Sequence, residues 1–217
     1  MQLTMQAVDE RVSDLLIDPD RDRWPEEERV RWANEAMGAI LSRRPAAFAR
    51  RTVHSLAQGT YQTIPDESST LLDVVRNMGA DGATPGAPIR RSDRQQIDDI
   101  DPNWHEMTPV SKIKQYTYDD RVPTVFYVYP PAIAGTKVEI LDAALPDEIN
   151  DLTDTLGIGS EYLEAVVNYV CYRCNSKDSE FSNAAVATAF YQAFEAALGI
   201  KNQNQIVISP NRPETSV

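Results

Sequence analysis

Cysteine and histidine are almost missing: the 217-residue chain holds two of each. Cys171 and Cys174 are too few and too close together for a disulfide framework, so a reducing compartment fits best. With only His54 and His105 besides, both far off in the sequence, the Cys171-Tyr-Arg-Cys174 pair does not complete a four-ligand zinc site. Thiol redox chemistry places the first cysteine at a helix N-terminus; here both fall late in a helical pattern, as two small buried residues would. Positive charge is also scarce. Lys and Arg number 21 against 33 Asp and Glu, a formal charge of -12. That balance argues against a general binder of nucleic acid or of anionic membranes; it does not exclude a protein that lets DNA pass without gripping it. No apolar run nears the ~20 residues a spanning helix needs. The N-terminal Met1-Gln-Leu-Thr-Met5 lacks a basic-then-apolar pattern, so neither a signal peptide nor membrane association is expected.

What is present is helical apolar periodicity at both ends of the chain. From Ser160, the residues Tyr162, Val166, Tyr169, Val170 and Cys174 cover much of a helix girth, which predicts a buried helix. From Ala184, Val186, Phe190, Phe194 and Leu198 recur every four residues beside Ala185, Ala189 and Ala193, and Gly199 reads as a stop. Near the N-terminus, Thr4 can cap a helix carrying Val8, Val12, Leu15 and Leu16. Pro25 and Glu26–Glu28 open a second, with Ala33, Met37, Ile40 and Leu41 as its stripe. Between Arg50 and Leu145 the pattern turns to short alternating runs. Strands are predicted over 51–56, 61–64, 71–77, 87–90, 112–118, 124–129 and 137–143, with a short helix opened by Ser92-Asp-Arg-Gln95. The expected fold is therefore α+β: a helical bundle of residues 1–48 and 155–199, a small antiparallel β region inserted as residues 49–154, and an extended C-terminal arm, 200–217.

Chemistry is thin. His105, with Glu106 or Asp101 as orienter, is the one candidate general base, but no nucleophile elbow or HExxH accompanies it. Asp98, Asp99 and Asp101 lack calcium-loop spacing. The glycines of 79–86 lack the Lys-Ser/Thr of a phosphate loop, and Gly157-Ile-Gly159 lacks the third glycine of a dinucleotide site. No enzyme, metal or cofactor is expected. Candidate interaction residues are the arginines Arg43, Arg44, Arg90 and Arg91, which in an acidic chain pair with carboxylates within or between subunits, and Tyr127 and Tyr129, which share a strand face opposite Phe126. Ile206-Val-Ile208 falls after the last helical stripe and suits docking to a partner's sheet edge.

Several stretches in order carry a family likeness: Gly59-Thr-Tyr-Gln-Thr-Ile-Pro65, Leu71-Leu-Asp-Val-Val-Arg-Asn77, Asp101-Pro-Asn-Trp-His105, Phe126-Tyr-Val-Tyr-Pro-Pro131 and Tyr169-Val-Cys-Tyr-Arg-Cys-Asn-Ser-Lys-Asp-Ser-Glu180. Over roughly residues 24 to 200 the chain resembles the head-to-tail adaptor (tail tubular protein A-like) proteins of short-tailed bacteriophages. The resemblance implies a structural virion protein of the tail or neck, assembled in the host cytoplasm. It implies a twelve-fold ring below the portal protein, a tail nozzle beneath it, tail fibres as a further partner, and DNA passing without specific binding. It brings no catalytic residues. Two other classes remain open on the residues alone, a hydrolase using His105 and an assembly scaffold or chaperone.

Overall fold

The computed structural model describes residues 2–177 and 179–208. In chain order the elements are β1 (Gln2–Thr4), α1 (Met5–Leu16), α2 (Glu26–Arg43), β2 (Ala49–Ser55), β3 (Gly59–Thr63), β4 (Ser68–Met78), β5 (Pro85–Pro88), β6 (Arg90–Arg91), α3 (Arg94–Ile100), β7 (Gln115–Tyr118), β8 (Val125–Ala132), β9 (Lys137–Ala144), β10 (Thr155–Gly159), α4 (Leu163–Ser176) and α5 (Ala184–Ile208). They form two compact units, Met1–Arg44 with Pro146–Val217, and Pro45–Leu145.

The expectation of a helical bundle with a small β insert is corrected. Among the described residues, ten strands in three sheets accompany five helices, a mixed α/β architecture. Two kinds of strand escape periodicity. Prolines that read as separators lie inside strands: β8 runs through Pro130 and Pro131 to Ala132, and β5 begins and ends on proline. β5 is an edge strand, where a missing N–H interrupts no ladder; in the interior strand β8 the two prolines fall past the last β7 pair, Gln115–Tyr129, and where the register with β3 shifts. The other kind is short. β1 and β10 pair antiparallel as a two-stranded sheet within the helical unit; the three residues of β1 are too few to show a period, and the five of β10 alternate only through Leu156 and Ile158, beside Gly157 and Gly159.

In the helical unit, the Thr4 hydroxyl accepts the Ala7 N–H and opens α1. Val8 and Val12 are fully buried, but the helix ends at Leu16, and Ile17 turns away in the left-handed region at φ 52°. Leu15 is exposed. α2 buries Ala33, Ala36, Met37 and Ile40. α4 buries Ala165, Val166, Val167, Val170, Cys171 and Cys174 and is packed by α1, α2 and α5, which explains its apolar girth. α5 turns Ala187, Phe194 and Leu198 inward. Gly199 does not stop it: the backbone stays helical to Ile208, so residues 200–208 are not the extended arm that a glycine stop implies. A helical glycine costs only about 1 kcal/mol, less than continued hydrogen bonding returns. Residues 209–217 of the expected arm lie outside the described residues.

In the β unit, one sheet has the order β2-β9-β4-β5 and the other β3-β8-β7-β6. Leu71, Val74, Phe126, Val128, Val138 and Ile140 belong to a single buried cluster drawn from both sheets. The sheets are stitched together where the chain passes from β5 to β6. Ile89 N–H donates to Val75 O, Arg90 N–H donates to Lys114 O, and the buried Asn77 amide exchanges two hydrogen bonds with Ile113, each 2.8 Å. On the other side, β2 and β3 end their sheets.

Candidate functional site

Three constellations of polar chemistry emerge, two of them around buried charges. In the helical unit, Arg29 on α2 is fully buried. All five of its N–H groups are used. Nε donates to Trp24 O (2.8 Å), Nη1 to Asp9 Oδ1 (2.9 Å) and Ser13 Oγ (2.6 Å), and Nη2 to Asp18 O (3.1 Å) and Asp18 Oδ2 (2.7 Å). Arg21 closes on the other Asp9 oxygen at 2.6 Å. Two arginines and two aspartates thus fix the α1–α2 connection, where Ile17 and Arg21 both hold positive φ. Burial alone would raise the Asp18 pKa. The N–H groups of Arg23 and Trp24 and the Arg29 guanidinium together outweigh burial and hold that carboxyl below its usual range.

In the β unit the buried charge is an anion. Asp142 on β9 is fully buried and accepts from Ser68 Oγ (2.5 Å), Thr52 Oγ1 (3.0 Å) and Arg50 Nε (3.0 Å). Register explains the meeting: Arg50 lies opposite Asp142 on β2, and Ser68 opens β4 on the other flank of β9.

The third constellation is aromatic. Trp104, in a single helical turn of residues 104–106, is fully buried and donates Nε1–H to Asp98 Oδ1 (2.8 Å). His105 stacks on it with centroids 3.8 Å apart, and Tyr127 and Tyr129 meet the indole edge-on at 6.4 and 6.1 Å. The ring nitrogen Nδ1 of His105 lies 2.8 Å from Thr60 Oγ1. Its partner is thus a hydroxyl, where general-base chemistry calls for a carboxylate orienter. No group of three or more potential ligands gathers as a metal site among the described residues.

The residues expected from sequence fall in different surroundings. Tyr127 and Tyr129 share a half-buried face opposite the fully buried Phe126, and part of that face is covered by the chain's own Trp104 and His105. Arg43 donates to Glu195 Oε1 (2.9 Å) and Tyr191 Oη (2.8 Å) and lies over the Phe194 ring. Arg44 is buried and donates to Leu198 O at 3.0 Å, so it acts inside the helical unit. Arg91 is exposed, near Asp120 and over Tyr118, and Arg90 beside it is exposed. The side chains of Ile206, Val207 and Ile208 lie outside what is described. Cys171 and Cys174 are both buried; desolvation pushes the Cys171 thiol up to about 12 and the Cys174 thiol higher still, so neither is a thiolate at neutral pH.

Sequence reasoning missed Arg29, Asp9, Asp18 and Asp142. The first three share no helical period, and one aspartate in a predicted strand looks like an exposed position. The only available signal for Asp142 was its place on the strand face shared with Val138 and Ile140.

Each unit is thus organised around a buried, hydrogen-bonded charge and leaves arginines and aromatic residues at its surface. The family model described as SU10 adaptor protein matches residues 4–214, and the chain belongs to that family. This makes it a phage adaptor, a structural protein of the virion, in agreement with the head-to-tail adaptor resemblance. The match also covers α1 and the segment after Gly199, which the resemblance over residues 24 to 200 did not reach. Among curated proteins no match was found. No described helix is long and apolar enough to cross a membrane.

Proposed function

We propose that the chain is a non-enzymatic head-to-tail adaptor. Copies of it close into a ring, about twelve by family likeness, between the portal protein and the tail nozzle of a virion neck. The family match across nearly the whole chain carries this reading. A ring of identical subunits needs heterologous contacts that close rather than propagate. Arg90, Arg91 and Arg43 at the surface, with the outer parts of Tyr127 and Tyr129, are the side chains we assign to those contacts. Ile206, Val207 and Ile208 are assigned to the portal or a neighbouring copy. The charge of -12 supports passage of DNA without grip, since a conduit lined by carboxylates repels phosphates.

The test is the copy number and position of this chain in purified virions, by mass measurement and imaging of the neck. A closed ring bound to the portal is expected. A chain present in immature particles and lost from mature ones would instead be a scaffold. Hydrolysis abolished by His105→Ala at unchanged stability would identify an enzyme.

A further inference from the structure

The four outer strands of the β unit are not equally protected. β5 carries Pro85 and Pro88, and its pairing with β4 is irregular. β6 has two residues. β3 has five, with a register shift against β8. β2 differs from all of them. Seven consecutive residues, Ala49 to Ser55, pair with β9 in unbroken register from Ala143 to Lys137, without proline or bulge. Among the described strands nothing pairs with its other side. Proteins usually blunt such edges with short strands, bulges, proline or charge, because a long regular edge is a template for another strand. Here three edges are blunted in backbone geometry and the longest is not.

Side chains decide what that edge accepts. The strand contains Arg50 and Arg51 and no acid, within a chain of net charge -12. Arg50 is turned to the buried Asp142, but Arg51 keeps 63 % of its side chain exposed, and its nearest carboxylate, Glu139, is 3.7 Å away. Val53, two residues on and on the same strand face, is 47 % exposed. A second copy of β2 is a poor occupant. Antiparallel self-pairing about Thr52 would place Arg51 beside Val53 and Arg50 beside His54 of the other copy, gathering four arginines in one short ribbon. β2 has no acid, so in such a pair no carboxylate of the other copy lies opposite either arginine and the cations gain no partner. An acidic strand meets the opposite situation.

We infer that the free edge of β2 is a docking edge for an extended segment of a partner protein, one that presents acidic and apolar side chains alternately on the face that meets Arg51 and Val53. Backbone pairing supplies attachment and the Arg51–Val53 pair supplies selection. The inference rests on the β unit alone, so its failure leaves the adaptor reading untouched.

The test uses the full-length protein, amide hydrogen exchange, and two capped peptides. In one, Glu and Val alternate on one face with Thr on the other; in the second, Lys replaces Glu. The Glu peptide should slow exchange within residues 49–55 several-fold while the Lys peptide leaves it unchanged, and Arg51→Glu should reverse that preference. Equal protection by both peptides, or none at 49–55, would overturn the proposal. So would protection of these amides that grows with protein concentration in the absence of peptide, the signature of pairing between copies.

Discussion

The two units solve the same problem with opposite signs. The helical unit buries a cation, Arg29, and surrounds it with carboxylates and carbonyls; the β unit buries an anion, Asp142, and surrounds it with two hydroxyls and a guanidinium. The difference lies in access to water. Arg29, Asp9 and Asp18 are all enclosed, whereas Arg50, the cation facing Asp142, keeps 34 % of its side chain exposed. Removing the cation from the first group leaves Asp18 without a guanidinium and Asp9 with Arg21 alone, both in the interior. Removing the anion from the second leaves an arginine that can turn to solvent and to Glu67, 3.6 Å away.

The sharpest test of this contrast is Arg29→Ala. We expect a loss of about 3–5 kcal/mol, the range for breaking a buried pair by removing one partner. Urea unfolding followed by the fluorescence of Trp24 and Trp32, both buried in the helical unit, would measure it. Asp142→Ala should cost less, about 1–3 kcal/mol, because the groups left behind are two hydroxyls and a half-hydrated arginine. Amide hydrogen exchange within residues 45–145 would measure it, because the emission of Trp104 overlaps that of Trp24 and Trp32. Equal losses in the two variants would mean that access to water is not what separates them.

Acid should separate the units next. Burial holds the His54 pKa below 6.5, so the unfolded chain binds a proton more readily than the folded one. Stability from this group is complete above pH 6.5 and is lost as pH falls through the lowered folded value. Asp18 is also depressed, so its contribution persists above 3.8 and is lost only as pH falls through its still lower folded value. Thermal melts between pH 7.5 and 5 should therefore show the β unit weakening while the helical unit holds, and His54→Gln should flatten the β-unit response. Smallest of all is Cys171→Ala, which removes one buried sulfur and should cost about 1 kcal/mol without affecting assembly.

Much of the secondary structure was legible in the residues. Thr4, Pro25 and the acids after it mark where α1 and α2 begin, and alternation located β2, β3, β4, β7, β8 and β9 to within a few residues. Capping and periodicity are local, and these elements obey local rules. What stayed hidden depends on partners distant in sequence. β1 is a strand only because residues 155–159 lie beside it. Pro130 and Pro131 sit in β8, although taken alone they look like a break. Gly199 is carried within α5 despite its preference for a helix end. The two charge hubs join residues 9, 18 and 29, or 50, 68 and 142, and no window spans them. Conversely, the arginine clusters were visible as clusters, yet Arg44 is buried and Arg91 exposed, a distinction that only packing makes.

The order in which the chain leaves the ribosome gives the discontinuous unit a further meaning. Residues 45–145 are contiguous, and their ends are neighbours, since Ala49 pairs with Ala143. This unit is complete as soon as β9 emerges. The helical unit is not: α1 and α2 are made first, but α4, which covers them, follows about a hundred residues later. At roughly 5–20 residues per second the nascent chain carries those apolar faces uncovered for several seconds or more. During that interval Val8, Val12, Met37 and Ile40, buried in the finished unit, lack the cover that α4 provides. The saturated Arg29 hub, built entirely from residues 9 to 29, is available from the start to hold α1 and α2 together until α4 arrives.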